Sequence, residues 1–280
     1  MPSKLKRLPK RGKRVVVGAK QKKGNALSGL LRKLIFWGPK RAEEYGGLLV
    51  MADPGLHEQI AAKVRGSVPA GSSILDFGAG EGALSLRLRD LGYEVTAVDL
   101  NREAFRATGV KFEQVDFDDR HALESFVERH DSAFDAVLGV EVIEHVQDQW
   151  TYVRQLIRMT RPGGIVVVTT PNTSSWLSRF LFFFTGQFSS FNEHGLTYGH
   201  INPISAWELE LILTRCGLTS VSLASAGTLP PLYCVPTREI LINLAVLPLR
   251  PLMSGLIDGW CIMATGLRPG RHDLPSGKLE

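Results

Sequence analysis

Strand-like and helix-like segments alternate from residue 72 to residue 171, and this alternation limits the possible folds more than any other feature of the chain. Five apolar runs are predicted as strands: SSILDFG (72–78), YEVTAVDL (93–100), VKFEQVDF (110–117), FDAVLGV (134–140) and IVVVTTP (165–171). Helices are predicted between them, over 82–92, 101–109, about 119–130 and about 141–160, with a turn at 161–164. Consecutive parallel strands need a crossover connection, so the predicted fold class is α/β, a parallel sheet with helices on both faces.

Further elements flank this alternation. A helix is predicted over 55–66, another over 205–217, and strands over 218–225 and 260–267, which extend the sheet to seven strands. Two apolar segments interrupt the pattern, the aromatic-rich 172–204 and the Pro- and Leu-rich 226–259. Both are expected to form a lid over the ligand-binding edge, although core packing is the usual fate of Phe and Leu. The predicted organisation is one domain over 43–270, an arm over 1–42 and a tail over 271–280.

The basic residues are unevenly distributed. Of the 33 Lys/Arg in the chain, 14 lie in residues 1–42, which contain no Asp or Glu. The remainder holds 19 Lys/Arg against 28 Asp/Glu, a net charge of −9. The arm is predicted to be largely disordered, with a possible amphipathic helix over 25–37. Such an arm attracts anionic lipid, nucleic acid or an acidic partner, or is simply a solvated tail; an anionic membrane surface is the partner predicted for residues 1–37.

The cysteines and the apolar runs bear on the compartment. Cys216, Cys234 and Cys261 form no CxxC pair, which argues against a disulfide scaffold or a cysteine zinc site and favours a reducing compartment. The apolar run over 240–249 is far shorter than a bilayer span and contains Pro248. A cytoplasmic protein is expected, with peripheral membrane attachment as an option.

The segment ILDFGAGEGALS (74–85) predicts a strand, a glycine loop and a helix. Gly78, Gly80 and Gly82 permit a tight turn and close approach of a ligand to the backbone. The pattern also matches a phosphate-binding loop, but Asp76 beside the loop suits a cationic amine better than a pyrophosphate. Since ligands bind at the carboxyl ends of parallel strands, the acids at the next two strand ends are candidates for the same ligand.

Those acids have the chemistry to bind a nucleoside. Asp99 ends the second strand, where a carboxylate can accept hydrogen bonds from both hydroxyls of a ribose. Asp116 and Phe117 end the third strand and offer a carboxylate for an adenine amino group and a ring to stack on it. The glycine loop and these acids together are more specific than the loop alone.

Three ionisable groups follow the fourth strand in the sequence EVIEHV. If a helix begins near residue 141, Glu141, Glu144 and His145 share one face of it. Two carboxylates and an imidazole could bind a divalent metal ion, or His145 could act as a general base oriented by a glutamate. The alternative is that acidic residues favour the first turn of a helix and His145 merely caps or packs.

These motifs, in this order, resemble the class I S-adenosylmethionine-dependent methyltransferases. The resemblance covers about 70–220 and rests on ILDFGAGEG, VTAVDLN, QVDFDD, FDAVLGVEVIEHV and RPGGIVVVTTPN. It implies a Rossmann-like sheet of seven strands whose last strand is antiparallel. The glycines would approach the methionine moiety, Asp99 the ribose and Asp116 the adenine. The complete set predicted to bind S-adenosylmethionine is Asp76, Gly78, Gly80, Gly82, Asp99, Leu100, Asp116, Phe117, Val140 and Glu141.

Two subfamilies suggest different acceptors. EVIEHV and RPGG resemble the ubiquinone-pathway O-methyltransferases, in which the matching Glu141, Glu144 and His145 are implied in metal and substrate positioning. The same residues also resemble small-RNA 2′-O-methyltransferases, with His194 or His200 as a fourth metal ligand. The metal set considered is Glu141, Glu144, His145 and His200, and the catalytic pair is His145 and Glu144.

The preferred prediction is methyl transfer to an oxygen of an apolar small-molecule or lipid-linked acceptor. The aromatic block 176–191 contains one basic residue, Arg179, whereas RNA stacking favours aromatics interleaved with Arg and Lys, so nucleic acid is less favoured. An RNA 2′-O-methyltransferase and a non-catalytic partner subunit with the same fold remain alternatives. The chain departs from the ubiquinone enzymes before the glycine loop, where YGGLLVMADPGLHEQI lacks their arginine, and in the segment 226–259, so the resemblance does not determine the acceptor.

Overall fold

The computed structural model describes residues 43–117, 119–228 and 246–270 of the 280-residue chain. The predicted arm with its amphipathic helix, the tail and residues 229–245 of the second insert lie outside the described residues. No helix among the described residues is both long enough and apolar enough to cross a bilayer.

The strands of the described residues are numbered β1 to β9 in chain order. They are β1 Glu44–Tyr45, β2 Leu48–Leu49, β3 Ser73–Phe77, β4 Glu94–Asp99, β5 Lys111–Gln114, β6 Phe134–Val140, β7 Thr160–Pro171, β8 Thr219–Ala226 and β9 Cys261–Leu267. The helices are α1 Leu56–Arg65, α2 Ala83–Asp90, α3 Arg120–Arg129, α4 Gln149–Met159, α5 Trp176–Thr185, α6 Glu193–Tyr198 and α7 Ala206–Arg215. A 3₁₀ helix spans Leu247–Leu252.

Seven of the strands form one mixed sheet in the order β5-β4-β3-β6-β7-β9-β8. The five strands from β5 to β7 are parallel, and β9 is antiparallel to both of its neighbours. The predicted α/β fold class, with a Rossmann-like seven-stranded sheet, is confirmed. The chain order reverses between β3 and β6, and their carboxyl ends flank the crevice in which such sheets bind ligands.

The central strands are buried on both faces, which explains why they read as continuous apolar runs. Leu75, Phe77 and Val137 belong to the core on one face of the sheet. Ile74 and Leu138 belong to the core on the other face, because neighbouring residues of a strand point to opposite sides. Both cores are covered by helices, so polar residues are concentrated where the strands end.

One predicted helix is wrong, and another begins later than predicted. Residues 101–109 form turns, since Phe105 and Ala107 are buried against the glycine loop and hold the segment in an irregular path. The helix expected near 141 begins at Gln149, where the Asp148 side chain accepts a hydrogen bond from the Thr151 N–H and caps the first turn. Residues 141–148 are a turn-rich connection rather than the start of that helix.

The predicted turn at 161–164 lies inside β7. The pairing of β6 with β7 changes register between Phe134 and Ala136, which accommodates these residues within the strand. Pro and Gly in a sequence usually indicate a turn rather than a strand. Whether such residues continue a strand depends on hydrogen bonds to the neighbouring strand, which the sequence pattern does not show.

The described parts of both inserts emerge at the carboxyl edge of the parallel strands. The first forms α5 and α6, which begin at the capping side chains Ser175 and Asn192. The second returns through the 3₁₀ helix to β9, whose first residue, Cys261, pairs with Pro171 at the end of β7. The two inserts therefore meet beside the edge where ligands bind.

Candidate active site

The glycine loop follows β3 at the carboxyl edge. A side chain at Gly78 would meet Val142 Cγ2 at 2.4 Å, and one at Gly82 would meet Phe105 Cε2 at 2.6 Å, so these two glycines allow close packing within the protein. At Gly80, where φ is +57°, an added Cβ would meet only Met51 Sδ, at 3.4 Å. The backbone at Gly80 is thus the open point of the loop, where a ligand can approach closely.

Asp99, at the end of β4, is held against this loop. Its Oδ2 accepts a hydrogen bond from the Gly80 N–H at 2.9 Å, and its Oδ1 accepts one from the Asn101 N–H at 3.0 Å. These two bonds fix the carboxylate beside the loop. Leu100, the next residue, is exposed, and its carbonyl accepts a hydrogen bond from Gln114 Nε2.

Asp76, at the start of the loop, is buried rather than exposed at the edge. Its carboxylate accepts a hydrogen bond from the Ser85 hydroxyl at 2.5 Å. The pKa of Asp76 is raised to about 6, mainly by burial; the hydrogen bonds from Ser85 lower it and the charge of the nearby Asp99 raises it. Asp76 could therefore attract a cationic amine only from a buried position, and only above about pH 6, where its carboxyl group is ionised.

Asp116 and Phe117 follow β5. Asp116 is exposed, and Phe117 is half-buried with its ring stacked on Phe77 at a centroid distance of 4.4 Å. Phe77 ends β3, so this contact brings the residues after β5 towards the centre of the sheet. The structure thus places these two residues on the same edge as Asp99, as the sequence predicts.

The residues after β6 are held in an unusual turn. Glu141 has a left-handed backbone with φ of +53°, which is uncommon for a residue with a side chain. Thr169 of β7 holds it there, because its Oγ1 accepts the Glu141 N–H at 3.0 Å and donates to Glu141 Oε1 at 2.9 Å. Val140, just before the turn, is buried at the end of β6.

Glu144 is fully buried. Neither of its carboxylate oxygens has a hydrogen-bond partner among the described residues. Burial raises the pKa of Glu144 well above its usual value, and the charge of Glu141 raises it further. A buried carboxyl without a partner is costly, so this group is suited to a proton or to a cation.

Glu144, His145 and His200 form a cluster whose candidate ligand atoms all lie within 4.8 Å of one another. His145 Nε2 is 3.8 Å from Glu144 Oε1, and the two imidazole rings are 4.9 Å apart between centroids. The cluster does not include Glu141, whose carboxylate is bonded to Thr169, so the predicted four-residue metal set is reduced to three. His194 lies beside Tyr198 and is outside the cluster.

The surroundings of both histidines of the cluster favour the neutral imidazole. Burial lowers the pKa of His145, and the carbonyls of Gly199 and Glu141 raise it by less. Burial and the neighbouring His145 lower the pKa of His200, while the Ser190 carbonyl raises it by less. Neutral imidazole is the form that accepts a proton or binds a metal ion.

The first insert brings His200 to the turn. The N–H groups of Ile201 and Asn202 donate to the Glu144 carbonyl at 3.1 and 3.0 Å, and Asn202 Nδ2 donates to the Val146 carbonyl. Asn202 and Thr169 were not predicted from the sequence, although both shape the site. Two features of the sequence could have indicated them. Thr169 and Thr170 are polar residues at the end of an apolar strand, and Asn202 follows His200 by two residues.

The residues of the edge fit S-adenosylmethionine. The open backbone at Gly80 lies beside the fixed carboxylate of Asp99, and Asp116 lies along the same edge. Gly78 contacts Val142, so the loop directly adjoins the turn that carries Glu144 and His145. A cofactor on the loop would therefore have the cluster as a neighbour.

A family model described as a methyltransferase domain matches residues 53–223, which contain the glycine loop, the acidic strand ends and the cluster. The chain belongs to the class I S-adenosylmethionine-dependent methyltransferases. Among solved structures, a SAM-dependent methyltransferase from Archaeoglobus fulgidus has the same fold, with a TM-score of 0.53 and 17% identity over 75% of this chain and 94% of that chain. This methyltransferase thus has the seven-stranded sheet that its sequence motifs predict.

Curated relatives resemble the methyltransferase over part of their length. Ubiquinone biosynthesis O-methyltransferase from Maricaulis maris is 33% identical over 108 residues, 38% of this chain and 42% of that protein. The protein of the same name from Caulobacter vibrioides is 37% identical over 105 residues, 36% of this chain and 42% of that protein. The matched region is thus less than half of these relatives.

Proposed function

We propose that this protein transfers a methyl group from S-adenosylmethionine to an oxygen atom of an apolar small-molecule or lipid-linked acceptor. The observation that carries the proposal is the position of the neutral His145 and the buried Glu144 on a turn in contact with the glycine loop. Only an acceptor that must lose a proton requires such a base at this place.

The chain's own residues align the reactants and accept a proton. S-adenosylmethionine, when bound, supplies a methyl group already activated on a sulfonium. Asp99 and the Gly80 backbone would hold the cofactor at the ends of β4 and β3. His145 would accept the proton of the acceptor hydroxyl as that oxygen takes the methyl group, and S-adenosylhomocysteine would be the leaving group. Positioning of two reactants accounts for much of the rate in such a displacement.

A divalent metal ion held by Glu144, His145 and His200 is a second arrangement that the cluster supports. Two imidazoles and one carboxylate suit the later first-row transition metals rather than magnesium. The metal would lower the pKa of the acceptor hydroxyl, and His145 would then be a ligand instead of a base. The buried Glu144 carboxyl, which has no hydrogen-bond partner among the described residues, favours this arrangement.

The side of the cluster formed by the first insert favours an apolar acceptor. The rings of Phe191 and Tyr198 lie 5.7 and 6.4 Å from the ring of His200, between centroids. Leu196 and Ile201 are exposed on the same segment. The Maricaulis and Caulobacter relatives are named O-methyltransferases of ubiquinone biosynthesis, and these names also support an oxygen atom as the methyl acceptor.

The test is transfer of labelled methyl from S-adenosylmethionine into fractionated cell extract by the purified full chain. We expect label in the lipid or apolar-metabolite fraction. His145→Gln should lower the rate about 100-fold or more, since general-base catalysis is typically worth this much, without loss of cofactor binding. His121→Gln, an exposed histidine in α3, is the matched control.

Other outcomes contradict the proposal in distinct ways. Label in RNA would support a 2′-O-methyltransferase instead, and cofactor binding with no labelled fraction would support a non-catalytic partner subunit. The same assay after chelation separates the two arrangements of the cluster. Activity that is lost and then restored by zinc or cobalt supports the metal, and activity that survives supports His145 as the base.

A further inference from the structure

Large apolar side chains are exposed together on the two inserts. Six of the sixteen exposed large hydrophobic residues in the described part of the chain lie in α5 and in the 3₁₀ helix. We name them the apolar ridge: Phe182, Phe183, Phe184, Leu247, Leu249 and Leu252. Phe183 and Leu252 are 81% and 83% exposed. Because the two segments pack on each other, their exposed apolar side chains belong to neighbouring parts of one surface. Exposure of several large apolar residues in one region marks an interaction surface, whereas single exposed apolar residues are normal.

The two segments that carry the apolar ridge are packed firmly on each other. Val246 is buried in a cluster with Trp176, Leu177 and Leu181 of α5. The Trp176 N–H donates to the Ile257 carbonyl at 2.7 Å. The ridge is therefore presented by a well-packed support and is not an accident of an unpacked loop.

The segments that carry the apolar ridge have little acidic charge. Residues 173–192 and 246–258 contain two arginines, Arg179 and Arg250, and one acid, Asp258, which pairs with Arg250 at 2.9 Å. Residues 1–42 of the chain contain 14 Lys/Arg and no Asp or Glu. An apolar surface with little acidic charge, in a chain with a strongly basic segment, is complementary to an anionic lipid surface.

The apolar ridge belongs to the cofactor edge of the sheet. Helix α5 begins five residues after Pro171, where β7 ends at that edge, and the 3₁₀ helix leads into β9 at the pair of Cys261 with Pro171. A surface bound by the ridge would therefore lie next to the site that contains the glycine loop and His145.

We propose that the apolar ridge docks this protein onto an anionic membrane surface, with the Phe and Leu side chains inserted among the lipids and residues 1–42 attracted to the headgroups. Aromatic and leucine side chains partition into the interfacial region of a bilayer, and one apolar contact or one basic segment alone holds a protein only weakly. A basic segment near the surface adds attraction that salt weakens. The proposal does not depend on the identity of the methyl acceptor.

Co-sedimentation of the full chain with vesicles tests the proposal. The vesicles contain phosphatidylglycerol and phosphatidylcholine in equal amounts, with pure phosphatidylcholine for comparison. We expect binding to the mixed vesicles, and Phe183→Ser combined with Leu252→Ser should weaken it by about tenfold or more, because two large apolar side chains no longer leave water. The matched control combines Leu91→Ser with Leu267→Ser, exposed leucines away from the ridge.

Three results would overturn the proposal. The first is equal binding of the ridge variant and the parent, which would leave residues 1–42 as the anchor. The second is equal loss in the control variant. The third is a change in the sedimentation coefficient of the ridge variant without lipid, which would make the ridge an interface between two copies of the chain. Unchanged S-adenosylmethionine binding by the ridge variant shows that it is folded.

Discussion

Asp76 lowers the stability of the folded protein at neutral pH, because its carboxyl group is buried where ionisation is unfavourable. It is fully buried at the carboxyl end of β3, and burial raises its pKa from 3.8 to about 6. The folded protein therefore favours the protonated form more than the unfolded chain does. Its contribution to stability is fully present below pH 3.8 and is lost as the pH rises through about 6.

Replacing Asp76 with Asn should therefore stabilise the protein at neutral pH. A shift of this size corresponds to a gain of up to about 3 kcal/mol at pH 7.5, and to almost none at pH 4. Urea unfolding at several pH values measures the difference. If the difference did not grow between pH 4 and pH 7.5, the raised pKa would be wrong. Ser85→Ala, which removes a hydrogen bond that lowers the pKa, should move the pH dependence to higher pH.

At the scale of elements, the packing of α4 on β6 depends on one glycine. A side chain at Gly139 would meet the Tyr152 hydroxyl oxygen at 2.2 Å. That hydroxyl is buried and has no hydrogen-bond partner among the described residues. The distance between α4 and β6 is therefore set by the contact of Tyr152 with Gly139.

This contact predicts a compensating pair of substitutions. Gly139→Ala alone should cost about 1–3 kcal/mol of unfolding free energy through overpacking. Tyr152→Phe alone should cost little, because the lost hydroxyl makes no bond within the described structure. The double variant should recover part of the loss, because Tyr152 Cζ at 3.2 Å and Leu156 Cδ1 at 3.3 Å still crowd the added Cβ. Urea unfolding in a double-mutant cycle measures the recovery. Strictly additive effects would show that the two residues do not meet.

For the whole molecule, binding of S-adenosylmethionine should stabilise the fold. A ligand at about 100 times its dissociation constant adds about 2.7 kcal/mol to the free energy of unfolding when it binds only the folded state. We expect a concentration-dependent rise in Tm by differential scanning calorimetry. Asp99→Ala should abolish the rise, because the carboxylate that orders the glycine loop is removed. Glu128→Ala, an exposed carboxylate in α3, is the control and should retain it.

The seven-stranded sheet, and the edge at which the polar residues after its strands collect, can be predicted from the amino-acid sequence alone. Strands buried on both faces leave continuous apolar runs, and the polar residues after each run must lie at the same edge because the strands are parallel. Gly80, Asp99 and Asp116 could be assigned to that edge by their order in the chain alone. The seven-stranded fold follows from the same local pattern.

The arrangement of the ionisable residues after β6, in contrast, depends on the tertiary structure. The sequence placed Glu141, Glu144 and His145 on one helix face, but Thr169, 28 residues away, holds Glu141 outside the cluster. His200 joins Glu144 and His145 because the first insert returns and bonds to the Glu144 carbonyl. Such contacts depend on distant backbone meeting in three dimensions, and local periodicity carries no information about them.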